Sequence, residues 1–200
     1  MRKINEIFYS LQGEGHHTGY PSVFIRFSGC NLACPFCDTR HNVGIYMTDD
    51  DIIRAVKLYK ADWIVLTGGE PSLWIDEDFV CTLKRATGKR VAIETNGTRE
   101  LPPSIDWVCV SPKTGIDGGS GDATVRVSHA DEVKVVDVGQ DLEPYFSLSC
   151  IKKDTLMYLQ PCYVSDLVKN EANRLRTVRR VLDDPRWTLS VQLHRFLGIP

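Results

Sequence analysis

The sequence has no long hydrophobic run: no apolar stretch approaches the ~20 residues that a membrane-spanning helix needs. Nor does an apolar stretch follow the charged start Met1-Arg2-Lys3, so no secretory leader is expected and the protein is placed in the cytoplasm. Charge of one sign is also missing. A net charge of -2 supplies no global field to draw the chain onto nucleic acid or an anionic membrane. There are no internal repeats and no convincing linker. With 200 residues, this points to a single domain spanning 1–200 around one core. The seven cysteines cannot all pair, and without an export signal a disulfide framework is not expected.

What is present reads as strands alternating with helices. Strands are expected at 6–11, 22–27, 63–66, 91–93, 107–110, 133–136, 156–159 and 188–193. Helices are expected after Thr48, over 79–86, and over 166–182. Thr48 is an N-cap candidate, followed by Asp49, Asp50 and Asp51 in the first turn and an apolar stripe of Ile52, Val56 and Tyr59. The last helix carries Val168, Ala172, Leu175, Val178 and Leu182 as its apolar stripe. Short apolar strands between amphipathic helices predict an α/β fold with a parallel sheet covered by helices. Thr67, Glu94, Ser111 and Gln160 each fall at the end of an expected strand. Parallel α/β folds build their sites there, so these four residues point to one shared pocket.

Three of the seven cysteines crowd into eight residues, Cys30-Asn31-Leu32-Ala33-Cys34-Pro35-Phe36-Cys37, with the spacing C-x3-C-x2-C. Three thiolates on one short loop can each bind a different iron of a cubane cluster, leaving the fourth iron open for chemistry. A structural zinc closed by His41 is the alternative, although zinc sites usually use paired C-x2-C halves. Cys81 and Cys109 lie in apolar patterns and read as buried small hydrophobes. Gly68-Gly69-Glu70-Pro71 follows the strand at 63–66 and lets a ligand approach the backbone.

The cysteine spacing, with Phe36 before the third cysteine, resembles the signature of radical S-adenosylmethionine (SAM) enzymes. The resemblance implies a partial (β/α) barrel with helices outside, and a [4Fe–4S] cluster on Cys30, Cys34 and Cys37. It implies that SAM binds the open iron and is cleaved to a 5'-deoxyadenosyl radical, with the Gly-Gly-Glu-Pro turn against the methionine end. Further segments resemble the 7-carboxy-7-deazaguanine synthase family. They are residues 6–15 (EIFYSLQGEG), 24–27 (FIRF), 37–39 (CDT), 93–98 (IETNGT), 110–113 (VSPK), 159–161 (LQP) and the tail 192–200 (QLHRFLGIP). Residues 143–153 carry no motif of this family, and Cys162-Tyr163 depart from its pattern.

This second resemblance implies a radical ring contraction of 6-carboxytetrahydropterin to 7-carboxy-7-deazaguanine with loss of ammonia. It also implies a Mg²⁺ ion, a homodimer and an electron donor such as a flavodoxin. Neither nucleic acid nor a membrane is an expected partner. Arg26 offers a bidentate fork for the substrate carboxylate, with His194 as a second donor. Thr39 corresponds to the Mg²⁺ ligand, a hard oxygen donor. Glu94 is the candidate for proton transfer. Leu11, Gln12, Gly13, Glu14 and Thr67 are candidate pterin contacts, and the carboxylate of Pro200 is expected to reach the same substrate. Phe36, Cys37, Asp38, Gly69, Ser111, Pro112, Lys113 and Gln160 are candidate SAM contacts. Phe196, Leu197 and Ile199 are expected to anchor the tail by burial.

Two rivals remain at this point. A small radical SAM activase of a glycyl-radical protein would share the cysteine loop and the Gly-Gly-Glu-Pro turn, but would not need Gln12 to Glu14, Arg26 and the closing proline. A non-enzymatic zinc module would be colourless after reconstitution, whereas an iron–sulfur protein is brown.

Overall fold

The structure, a computed structural model, describes residues 1–37 and 39–200. Among the described residues nine strands form one sheet: β1 (Arg2–Leu11), β2 (Pro21–Phe27), β3 (Ile45–Met47), β4 (Trp63–Gly68), β5 (Arg90–Thr95), β6 (Trp107–Val110), β7 (Glu132–Asp137), β8 (Leu156–Pro161) and β9 (Thr188–Leu189). Their order is β3-β1-β2-β4-β5-β6-β7-β8-β9. From β2 to β9 all neighbours are parallel, as the alternation of strands and helices requires. The first edge departs from the expected all-parallel sheet. β1 and β2 form an antiparallel hairpin, and β3 pairs antiparallel to β1. β3 escapes sequence reading because it is three residues long and exposes Ile45 and Tyr46.

Helices α1 (Asp49–Lys57), α2 (Glu77–Thr87), α3 (Leu167–Asp183) and α4 (Leu193–Leu197) complete the fold. Thr48 closes a reciprocal cap on α1: its hydroxyl accepts from Asp51 N while Asp51 accepts from Thr48 N. The helix ends at Lys57, so Tyr59 lies beyond it, and Ile53 joins Ile52 and Val56 in the buried stripe. α2 starts at an Asp76 cap and stops at Gly88, whose φ of 69° is the left-handed conformation that favours glycine. Ile52, Ile53, Val56, Phe79, Val80 and Leu83 pack onto the outward residues of the sheet, among them Ile25, Phe27, Ile64, Leu66, Ile93 and Val110.

Two expectations fail at the C-terminal end. The stripe on α3 is not buried: Val168 is 80% exposed, Leu175 52% and Leu182 78%, and only Thr177 on this helix is buried. The expected strand 188–193 shortens to β9, after which the chain turns into α4. Cys81 also departs from its reading, lying exposed on α2, whereas Cys109 is buried as expected.

The strand period of two sorts the sheet residues. Along β2, Ile25 and Phe27 face the helices while Phe24 and Arg26 face the other side. Along β4 the inward set is Trp63, Val65 and Thr67, and β5 adds Ala92 and Glu94. The inner side is roofed at one end by the β1–β2 connection, where His17 packs on Trp63 and His16 stacks on Trp107. Burial, with the neighbouring His16 and Arg90, pushes His17 down to about 4, so it sits there as a neutral ring. The same connection meets the far edge of the sheet: Gly15 N donates to Ser190 Oγ, and Leu193 N donates to Gly13 O. The sheet therefore curls into a partial barrel whose opening is bridged by the β1–β2 connection.

Candidate active site

At the other end of the barrel, where the parallel strands finish, lies a cavity of about 480 Å³. Its walls come from inward positions on successive strands. Arg26 is registered beside Thr67, and Glu94 beside Cys109, so alternation alone delivers their side chains to one side of the sheet. Thr67, Glu94 and Gln160 lie within their strands and Ser111 just past one, and all four line the cavity. Leu11, Gln12, Gly13, Glu14, Arg26, Phe36, Thr39, Gly69, Lys113, His194 and Pro200 line it as well, with Cys30, Cys34 and Cys37. Pro112 does not; it is buried between Ser111 and Lys113, where it shapes the turn behind them. Asp38 lies outside the described residues.

The cysteine loop is held at its root and its flank. Gly69 N donates to Phe27 O and Glu70 N to Gly29 O, so the Gly-Gly-Glu-Pro turn clasps the residues just before Cys30. A Cβ on Gly69 would collide with the Gly29 carbonyl, and Gly68 has a φ of 131°. The two glycines thus admit a backbone neighbour, which glycine spacing alone does not reveal. Glu70 is fully buried and accepts from Ser72 N (3.0 Å), Thr95 Oγ1 (2.7 Å) and Asn96 N (2.8 Å), locking the turn onto β5. Asn31 continues this link, donating to Thr98 Oγ1 (2.8 Å) and accepting from Asn96 Nδ2 (3.0 Å). Ala33 forms an isolated bridge with Ser120.

Three free thiols on one cavity wall fit a cluster with an open iron, and their surroundings fit its charge. Burial pushes the Cys30 and Cys34 thiols up, and at Cys34 the Lys113 ammonium works against that rise. Iron binding deprotonates a thiol outright, so this rise does not bar the three thiols from ligating a metal. Lys113 Nζ is itself fixed by Ser111 O (2.6 Å) and Ser111 Oγ (2.7 Å). Among the described residues, no three His, Cys, Asp or Glu side chains converge on one point as a single-ion site needs; a cubane takes one thiolate at each of three irons.

The opposite wall is a network of carboxylates. Glu94 accepts from Gln12 Nε2, Thr67 Oγ1 and Lys134 Nζ, each at 3.1 Å. Glu14 pairs with Lys134 at 2.6 Å and accepts from Gln192 Nε2 at 2.8 Å. Burial would raise the Glu14 carboxyl, but the Lys134 charge and hydrogen bond, helped by Gln192 and His194, lower it to about 2. Arg26 Nε binds Glu6 at 2.7 Å, which orients the guanidinium at the rim. Sequence reading missed Lys134, Asn96 and Tyr163 as lining residues. Lys134 had a signal: it is the one charge in the run Val133-Lys134-Val135-Val136, in a strand whose faces are both covered.

A model of the radical SAM superfamily matches residues 24–116. A 7-carboxy-7-deazaguanine synthase from Bacteroides thetaiotaomicron is 53% identical over 199 residues, covering 100% of this chain and 99% of its own. The chain belongs to the 7-carboxy-7-deazaguanine synthase family. A member from Caulobacter vibrioides is 37% identical, with 98% of each chain covered. The crystal structure of QueE from Escherichia coli superimposes with a TM-score of 0.76 at 29% identity, over 96% of this chain and 94% of that one. As a family member the chain is a radical SAM enzyme, a lyase, whose cofactors are a [4Fe–4S] cluster and SAM, with Mg²⁺ in line with the family. The zinc-module and activase alternatives fall with this membership.

Proposed function

We propose that the chain converts 6-carboxytetrahydropterin to 7-carboxy-7-deazaguanine with loss of ammonia, and that the residues named from the sequence divide this work. The observation that carries the reading is convergence: Gln12, Glu14, Arg26, Thr67, Glu94, His194 and Pro200 share one cavity with three cysteine thiols. Cys30, Cys34 and Cys37 would hold the cluster, which supplies the electron that cleaves SAM and so starts hydrogen abstraction from the substrate. Phe36, Gly69, Ser111, Lys113 and Gln160 are the SAM contacts of this reading, and Thr39 the Mg²⁺ ligand. Pro112 acts through its turn.

The chain's own residues bind, orient and move protons. Arg26, with its Nε already engaged by Glu6, turns the rest of its fork to the substrate carboxylate, and His194 supports it. Glu94 takes or returns a proton, oriented by Gln12 and Thr67. Glu14 and the terminal carboxylate of Pro200 accept from the N–H edge of the pterin. Ser10 Oγ donates to Pro200 O at 2.7 Å and so presents that carboxylate. Gly13 is required for a packing reason, since a Cβ there would collide with the His194 ring.

Single-domain organisation over 1–200 is supported by one continuous sheet. A homodimer is supported by the uncovered apolar residues of α3, and a flavodoxin-type donor is the proposed electron source. Free cysteines suit a reducing compartment, so the cytoplasm is the proposed location. Among the described residues, no helix is long and apolar enough to cross a membrane. Anaerobic incubation of the reconstituted protein with SAM, dithionite, Mg²⁺ and 6-carboxytetrahydropterin should yield 7-carboxy-7-deazaguanine by mass analysis. A fully loaded cluster with no product would overturn the reading.

A further inference from the structure

Lys134 stands where a charge is least expected. β7 is paired on both sides in a parallel sheet, and its neighbours Val133 and Val135 are fully buried among the outward core residues. The Lys134 side chain points the other way and is only 4% exposed. A buried ammonium is tolerated only where it is paired and hydrogen-bonded. Here it has two carboxylates from two distant segments: Glu14 Oε2 at 2.6 Å, from the β1–β2 connection, and Glu94 Oε1 at 3.1 Å, from β5. Cys109 and Glu132 face it from β6 and β7.

The pairing is geometric as well as electrostatic. Each carboxylate is tied by its other neighbours, Glu14 by Gln192 and Glu94 by Gln12 and Thr67, and among the described residues the ammonium is the one group that pairs with both carboxylates directly. Glu14 N also donates to Gln12 Oε1, which joins the two branches a second time at the backbone. Without the ammonium, two partly buried carboxylates would face each other, and one of them would move away or take up a proton.

We infer that Lys134 is a positioning residue of the active site: it fixes the separation of Glu14 and Glu94, so that the carboxylate gripping the pterin edge and the carboxylate moving the proton stay in register across the substrate. The inference rests on the roles proposed above for those two glutamates. Its signature is a fall in kcat that exceeds any change in KM. Loss of the ammonium misplaces the proton-transferring group by a fraction of an ångström to an ångström, and a shift of that size costs on the order of 100-fold in rate.

The test compares the reconstituted parent enzyme with Lys134→Met, Glu14→Gln and Lys134→Met/Glu14→Gln. Iron and sulfide content are measured first and should match in all four, because the cysteine wall is untouched. Lys134→Met should lower kcat about 100-fold and raise KM for the pterin. The double variant should be no slower than Lys134→Met alone, because removing one carboxylate relieves the repulsion that the missing ammonium leaves behind. Effects that simply multiply, or a parent-like kcat in Lys134→Met, would overturn the inference. Should Lys134→Met fail to fold, Lys134→Arg reads the same point. Its charge still pairs both glutamates, but its fork spaces them differently, so kcat should fall about tenfold or more with KM within about threefold. An unchanged kcat there would equally overturn it. A parent enzyme that makes no 7-carboxy-7-deazaguanine would instead defeat the proposed function itself, so the two failures are distinct.

Discussion

The two halves of the sheet are covered in opposite ways. Over β1 to β6, helices α1 and α2 press Ile52, Ile53, Val56, Phe79, Val80 and Leu83 into the core, and ion pairs such as Arg2–Asp49 and Lys84–Asp106 add to that apolar contact. Over β7 to β9, α3 contributes one fully buried residue, Thr177, and the partly buried Val181, and polar contacts supply most of its attachment. Asp137, fully buried at the end of β7, accepts from Thr177 Oγ1 (2.8 Å), Arg180 Nη1 (2.7 Å) and Gly139 N (2.9 Å), with Arg176 Nε at 3.4 Å. Arg180 also donates to Gln140 O and Arg176 to Asp137 O. A helix docked by apolar area resists single changes to its polar residues, whereas a helix docked on one buried carboxylate depends on that carboxylate.

Two substitutions break this contrast from either side. Phe79→Ala removes a fully buried ring from the first half, where it packs edge-on against Phe27 and under the Arg2 guanidinium. The loss should be about 4 kcal/mol. Asp137→Ala removes the carboxylate shared by a hydroxyl and two partly exposed guanidinium groups, leaving them only backbone carbonyl acceptors, and should cost about 3 kcal/mol. Denaturant unfolding of both variants checks the pair. If Asp137→Ala were nearly neutral, α3 would be held by something other than charge.

The C-terminal segment follows the polar logic of the second half, and only part of its expected attachment holds. Phe196 is 87% exposed and Leu197 48%, so of the three expected anchors only Ile199 is partly buried. Hydrogen bonds hold the tail as well, from Leu193 N to Gly13 O, from Gln192 to Glu14 and from Ser10 to Pro200 O. Extending the chain beyond Pro200 replaces its carboxylate with an amide. That should lower kcat/KM for the pterin by about 10- to 100-fold, the worth of a hydrogen bond to a charged group, while cluster content stays normal. An N-terminal extension is the matched control, and equal values for the two would remove Pro200 from the site.

How much was legible follows the same division. Strands β4 to β8 and helices α1 and α2 could be read because their signals are local: short apolar runs, Thr48 before three acids, an apolar period of 3.6. The cysteine loop and the strand-end residues Thr67, Glu94, Ser111 and Gln160 were legible because parallel topology sends strand ends to one place. Lys134 was passed over because a strand run shows that a residue is buried without showing what it meets; its partners are 120 and 40 positions away, given by 134 − 14 and 134 − 94. The α3 stripe misled for a related reason. Period predicts a face, and only the three-dimensional neighbours decide whether this chain covers it.

That uncovered face gives the smallest expected effect on folding. Leu167, Val168, Leu175 and Leu182 together offer α3 an apolar surface that no other part of the chain occupies among the described residues, since each is at least half exposed. Substituting Val168 or Leu182 by Ser removes little buried area from the monomer, so its stability should move by less than about 0.5 kcal/mol. Such a residue matters only if a second surface covers it. In the proposed homodimer the same substitutions should shift sedimentation toward the monomer, and the double variant Val168→Ser/Leu182→Ser should shift it furthest, with the monomer's unfolding midpoint unchanged. If instead the double variant lost several kcal/mol as a monomer, α3 would be packed by its own chain after all, and the contrast between the two halves of the sheet would collapse.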